Sequence, residues 1–319
     1  MINKRTVADF CRRTAIFWVL ILLCIIMAII NPIFIKPSNL MLIVKQTAIT
    51  GMLSVGMMMV ILTGGIDLSV GSIIAFCSVS SAMFGGLVTQ NMPIIVSILV
   101  GLAGGLLWGA INGAMIAYVR FPAFIMTLAT TMIARGVAKV LCGGKPVFGI
   151  SDPFMKLANG FVGPIPNLVL YFAAVFIIGY IILNRSVLGL RIYAVGGNEK
   201  AARLGGVNTF RVKMFVYSFC GLIAGLCGVL MTSRISSGSS IAADGYELDA
   251  IAAVVIGGTS MSGGSGSIWG TVVGALIITS IQNGLDMMGV SDFYKKIIQG
   301  LIIIAAVLFD LRSKAKEQK

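Results

Sequence analysis

Long apolar runs separated by short polar connectors dominate this chain. A bilayer core of about 30 Å takes roughly 20 helical residues to cross. Runs of that order recur at about 14–34, 41–63, 67–88, 94–118, 122–142, 167–184, 212–232, 247–262, 267–288 and 294–310. They predict an all-α, polytopic membrane helix bundle of about ten transmembrane helices. The run at 41–63 carries Lys45 and the run at 247–262 is short, so these two are the least regular. The first run follows basic residues, as in a signal peptide. It is long, however, and no small-x-small cleavage site follows, so it reads as a retained first span. Glycine recurs every four residues at Gly101, Gly105, Gly109 and Gly113, again at Gly221 and Gly225, and at Gly270 and Gly274. Such stripes let membrane helices approach closely.

Composition supports lipid as the solvent. The chain is 58% hydrophobic and 11% charged, with mean hydropathy +1.01, where a soluble domain carries about 25% charge. The net charge of +13 is concentrated in three places. Lys4, Arg5, Arg12 and Arg13 precede the first run, and Arg312, Lys314, Lys316 and Lys319 follow the last. Arg185, Arg191, Lys200, Arg203, Arg211 and Lys213 crowd one central stretch. Flanking cations stay cytoplasmic, so both termini are expected inside, with an even number of spans. Lys295 and Lys296 fall outside on this threading, which leaves the bias incomplete. A nucleic-acid partner is excluded, because these cations flank membrane spans and no soluble body accompanies them.

The chain has no histidine, and its six cysteines form no CxxC pair. No catalytic set, metal site or cofactor is expected. Residues 1–319 read as one membrane unit without an attached soluble domain. The proline-rich connector at about 143–166 is expected to be irregular, and the inner connector at about 185–211 is the only large polar segment between spans.

Two glycine-rich segments resemble each other. Gly64-Gly65-Ile66-Asp67-Leu68-Ser69-Val70-Gly71-Ser72-Ile73 is echoed by Gly257-Gly258-Thr259-Ser260-Met261-Ser262 and Gly266-Ser267-Ile268. Each lies between an apolar run arriving inside and one leaving it, as in transporters with duplicated halves. Polar backbone at membrane depth survives where protein or a water-filled cavity covers it. Gly65, Asp67, Ser69, Ser72, Thr259 and Ser260 are therefore candidates for a permeation route, with Asn112 and Asn283 inside later spans. A plain alternative stands beside each: Asp67 can cap the following helix, and the amides can bond helix to helix. The second segment is no phosphate loop, because Ile268 and Trp269 stand where a lysine and a hydroxyl are needed.

The inner connector contains Gly196-Gly197-Asn198-Glu199-Lys200-Ala201-Ala202-Arg203-Leu204-Gly205-Gly206-Val207-Asn208. Asn198 suits an N-cap, Glu199 the positive helix start, Arg203 its end, and Gly205 with Gly206 a stop. This predicts a short surface helix. It reads either as a solvated connector or as a docking peg whose Ala201, Ala202 and Leu204 enter a groove on a partner.

With these segments in hand, the chain resembles the permease subunits of bacterial ABC importers for monosaccharides, the ribose, xylose, arabinose and galactose group, ribose permeases most of all. The resemblance is carried by Gly64–Ser72, the Gly196–Val207 segment and Gly257–Thr271, and it covers nearly the whole chain. It implies a permease translocating ribose or a related sugar across the bacterial inner membrane. The implied partners are an ATP-binding cassette subunit, an extracytoplasmic sugar-binding protein and a second permease copy or paralogue. It also implies that the helix at Asn198–Val207 docks in a cleft of the ATPase. Ala201, Ala202 and Gly206 match the small-small-x-x-x-Gly core of such helices, while Lys200 departs from the glutamate of many other importers. Two other readings remain open: an ion-coupled carrier acting alone, with Asp67 or Asp286 as coupling groups, and a polytopic membrane enzyme, for which no clustered catalytic set is present.

Overall fold

The computed structural model describes residues 4–85 and 93–317 of the chain. Within them lie thirteen α-helices and one two-residue hairpin. In order these are α1 (Lys4–Ile30), α2 (Pro37–Leu62), α3 (Val70–Gly85), α4 (Ile94–Ala117), α5 (Ala123–Leu141) and α6 (Asp152–Asn159). The strands β1 (Phe161–Val162) and β2 (Ile165–Pro166) follow. Then come α7 (Asn167–Arg185), α8 (Val187–Gly197), α9 (Glu199–Leu204), α10 (Thr209–Ile235), α11 (Tyr246–Ile256), α12 (Ile268–Met287) and α13 (Asp292–Glu317). The all-α membrane bundle expected from the apolar runs is present, and six helices are long and apolar enough to cross a membrane: α2, α4, α5, α7, α10 and α12.

Burial divides these six into two sets. Two thirds (67%) of the apolar window of α2, α10 and α12 is buried, against 22% for α4, α5 and α7. A helix apolar all round with most of its surface covered is a core helix, so α2, α10 and α12 form the centre. The other three turn side chains such as Leu107, Met132 and Ile177 outward. Lys45 does not break α2, because its ammonium lies 4.4 Å over the Phe161 ring of the hairpin.

The glycine stripes act where the helices are closest. Gly101, Gly105 and Gly109 of α4 lie against Gly225, Gly221 and the Tyr217 backbone of α10, with the chains antiparallel. A Cβ on Gly105 would sit 2.6 Å from Gly225 Cα. Gly270 and Gly274 of α12 lie in the same way against Gly257 and Ala253.

Two expectations change. The connector at 143–166 is not irregular throughout, since it holds α6 and the hairpin. Pro153 falls in the first turn of α6, where a missing N–H costs nothing, and buried Phe154 and Ala158 tie the helix down. Ser233 Oγ of α10 donates to Phe154 O and accepts from Ala158 N, both at 2.8 Å. The run at 247–262 forms a helix of only 11 residues, α11, because Gly257 and Gly258 end it. Before it, residues 236–245 run as irregular backbone that is buried at Ser237, Ser239 and Ser240, all under 10% exposed, and exposed at Ile241 and Asp244.

Candidate functional site

The short inner helix α9 is built as its sequence suggests. Asn198 is extended (φ −160) and its Oδ1 accepts from Ala201 N at 2.9 Å. At the far end Gly206 takes φ +81, and Val207 N bonds back to Ala202 O at 3.0 Å. Six residues are too few to hold a helix alone, so α9 needs its neighbour. Glu199 Oε2 accepts from Lys213 Nζ of α10 at 2.7 Å, and Arg203 reaches Thr209 Oγ1 at 3.4 Å. Ala202 turns inward and is buried, while Ala201 is exposed and Leu204 is 91% exposed. The outward face is thus Lys200, Ala201 and Leu204, with Ala202 part of the seat.

Burial raises the Glu199 carboxyl, but the hydrogen bond and charge of Lys213, joined by Thr209 and Arg203, outweigh it and hold the group below the ordinary carboxylate value. With the folded pKa depressed, the stabilisation of α9 is present above the ordinary value and is lost as pH falls through the lowered one. Hydrogen exchange of the Ala201–Val207 amides should show protection that is flat near neutrality and declines in acid. Glu199→Gln should lower the neutral-pH protection roughly two- to fivefold, the range for a partly exposed ion pair. Equal protection in the variant would rule out this clamp.

Three glycine pairs meet behind α9. Gly264 N of the second glycine-rich segment donates to Leu62 O at the end of α2, at 3.0 Å. A Cβ on Gly263 would lie 2.8 Å from Gly64 N, and one on Gly264 2.7 Å from Gly197 Cα. A Cβ on Gly196 would overlap Leu62 O. The segments at 64–65, 196–197 and 263–264 therefore touch backbone to backbone, and Tyr193 Oη donates to Gly266 O at 3.1 Å. Beside this junction opens a cavity of about 940 Å³. Gly64, Gly65 and Tyr217 form its inner wall, and Arg120, Lys200, Arg203 and Lys213 its basic rim.

The residues proposed for a route fall into separate groups. Gly65 lines the inner cavity. Asp67, Ser69 and Asn112 are wholly buried and bond to one another. Asp67 Oδ1 accepts from Ser69 N at 2.9 Å, which caps the start of α3. Asn112 Nδ2 donates to Ser69 Oγ at 2.8 Å, and Thr130 Oγ1 to Asn112 Oδ1 at 2.6 Å. Asp67 Oδ2 has no partner among the described residues. Ser72 Oγ accepts from Arg135 Nε at 3.0 Å. Thr259 and Ser260 are buried in the second glycine-rich turn, where Ser260 N donates to Ser265 O at 2.9 Å. Asn283 exchanges two amide hydrogen bonds with Asn39, at 3.0 and 3.1 Å, and so joins α12 to α2.

Sequence reading passed over Arg135, Glu247 and Asp249. Arg135 of α5 also donates from Nη1 to Ser240 O at 3.0 Å, tying α3 to the irregular segment before α11. Asp249 Oδ1 accepts from Gln282 Nε2 at 2.9 Å and Gln299 Nε2 at 2.6 Å. Their signal was in plain view, since an ionisable group within an apolar run is costly and needs a reason.

The family described as the branched-chain amino acid transport system / permease component matches residues 39–307. The chain is 42% identical over 298 residues to the ribose import permease protein RbsC of Bacillus subtilis (strain 168), covering 93% of this chain and 92% of that protein. To the protein of the same name from Escherichia coli (strain K12) it is 41% identical over 304 residues, covering 91% of each. To the xylose transport system permease protein XylH of E. coli (strain K12) it is 33% identical over 344 residues, covering 89% of this chain and 87% of that protein. No solved structure matches the chain.

Proposed function

This chain belongs to the branched-chain amino acid transport system / permease component family, and on that footing we propose that it is the membrane-spanning subunit of an ATP-driven importer carrying a monosaccharide, with ribose the first candidate. One observation carries the sugar reading. Relatives matched over nine tenths of their length at 41–42% identity are named ribose import permeases, while the xylose permease stands at 33%. The family description names branched-chain amino acids, so the substrate rests on these relatives rather than on the family.

Residues 1–319 act as a single permease unit in a bacterial inner membrane. It has ten crossings, α11 being the short one, and both termini share the side of α9. The energy comes from ATP-binding cassette subunits, the sugar arrives on an extracytoplasmic binding protein, and a second permease copy or paralogue completes the pathway. The segment at about 185–211 is the coupling element. Asn198, Glu199, Arg203 and Gly206 shape its helix, Ala202 seats it, and Ala201 and Leu204 present themselves to the ATPase. The backbone junction at 64–65, 196–197 and 263–264 supports a mechanical reading. Displacing α8 and α9 must move the ends of α2 and α11 together, because no side chains lie between them to absorb the shift. The route then passes Gly65 at the inner cavity, with Asp67, Ser69, Ser72, Asn112, Thr259, Ser260 and Asn283 as the buried frame around it.

Uptake of radiolabelled ribose into proteoliposomes holding the chain with its ATPase and binding protein tests this. Accumulation is expected only with ATP inside the ATPase-facing compartment. Accumulation by the chain alone on an ion gradient would instead establish a secondary carrier, and uptake of leucine in place of ribose would favour the family description.

A further inference from the structure

At the end of the bundle away from α9, the outer ends of α11, α12 and α13 enclose a second cavity of about 310 Å³. This lies at the lower end of the roughly 300–1,000 Å³ range of small-molecule pockets. Its deep wall is apolar, formed by Ile278, Ile281 and Ile302, and Tyr246 lines it as well. Asp249 also lines it and is 4% exposed.

The pairing inside this cavity is uneven. Both amides donate to the same oxygen, Asp249 Oδ1. Asp249 Oδ2 and the carbonyl oxygens of Gln282 and Gln299 accept no hydrogen bond from the described residues. Acceptors therefore outnumber free donors in this lining. The cations at the mouth are engaged by carboxylates of the same lining: Lys295 pairs with Asp286 and Asp292, and Lys296 with Asp244 at 3.0 Å. A zwitterion would find its carboxylate unmatched here. A neutral molecule rich in O–H donors, with an apolar ring face for the isoleucine wall, satisfies both halves of the lining.

We propose that this cavity is a low-affinity halting site for a neutral polyhydroxyl solute entering the permease, with Asp249, Gln282 and Gln299 as its hydrogen-bond acceptors. The inference rests on the sugar-importer reading and adds the place where the solute pauses. A hydrogen bond to the Asp249 carboxylate is charge-assisted, unlike those to the neutral glutamine carbonyls, and losing it corresponds to about tenfold or more.

Two measurements test it. Saturation-transfer NMR on the permease in nanodiscs should show ribose receiving magnetisation, and Gln299→Trp, which fills the cavity, should reduce that signal at least threefold. Transfer to leucine with none to ribose, or a ribose signal untouched by the filling variant, would overturn the site. In the reconstituted importer, Asp249→Asn should lower ribose uptake per ATP hydrolysed about tenfold, with ATPase activity retained as the sign of an assembled complex. Full uptake in that variant beside an active wild type would also overturn it. A wild type that moves no sugar would instead defeat the importer reading, while the NMR result still decides the site.

Discussion

Gly105→Ala is expected to cost the chain its folded state in detergent, while Gly136→Ala, the same chemical change in the next helix, is expected to be neutral or slightly stabilising. At Gly105 the added methyl would lie 2.6 Å from both Gly225 Cα and Gly225 N and would overlap Gly221 O. These are backbone atoms, which cannot rotate away, so α4 and α10 must separate along their whole contact. Overpacking of this kind costs about 1–3 kcal/mol and occasionally more, and α10 is a central helix that touches α2, α3 and α4. At Gly136 nothing lies within 4 Å of the added atom, and alanine is the better helix former by roughly 0.5–1 kcal/mol. Fluorescence-detected size-exclusion after a temperature series measures both. Equal melting of the two variants would show that α4 and α10 are not held by this stripe.

The second large effect is expected at α9. Ala201→Trp and Leu204→Asp should each abolish ATP-driven sugar uptake, at least thirtyfold, while membrane insertion and melting temperature stay at wild-type values. Leu204 is a large apolar side chain 91% exposed at the inner end of the molecule, in the last turn of a helix anchored to α10 by Glu199 and Lys213. Anchors of this kind at the centre of an interface cost 2 kcal/mol or more when lost, roughly thirtyfold. Ala202→Trp is a different experiment. Ala202 is buried against its own chain, so that variant should lift α9 off α10 and melt it. Transport that survives both Ala201→Trp and Leu204→Asp would mean that the ATPase grips the permease elsewhere.

Local features proved the most legible. Asn198, Glu199, Arg203 and Gly206 do what their positions suggest, because a cap, a first-turn carboxylate and a left-handed stop act over four or five residues. Of the ten apolar runs, six became helices long and apolar enough to cross a membrane among the described residues. The internal repeat was legible for a narrower reason. Gly64 (φ +77) and Gly258 (φ +84) both end a helix in the left-handed conformation. Gly65 N and Thr259 N then bond back to Val60 O and Val254 O. Gly206 and Gly289 close α9 and α12 with the same arrangement. Much of the likeness is thus a shared helix stop, and it is weak evidence for duplicated halves.

The candidate site was only partly legible. Asp67 and Asn112 were singled out one by one, yet their meaning lies in their meeting through Ser69, with Thr130 completing the chain of bonds. Arg135 carries the signal of any lone cation in an apolar run, but what it binds shows only once Ser72 and the Ser240 carbonyl are seen around it.

The amino-acid sequence alone determined the solvent, the long apolar helices, the caps of α9 and the kind of protein, since each follows from hydropathy, chain-local hydrogen bonds or motif. Only the tertiary structure decided that three glycine pairs more than 60 residues apart share one backbone junction, and that Asp249, Gln282 and Gln299 face one cavity. The reason is physical: glycine stripes specify that helices can touch, not which ones, and the choice of partners is made by the whole packed bundle.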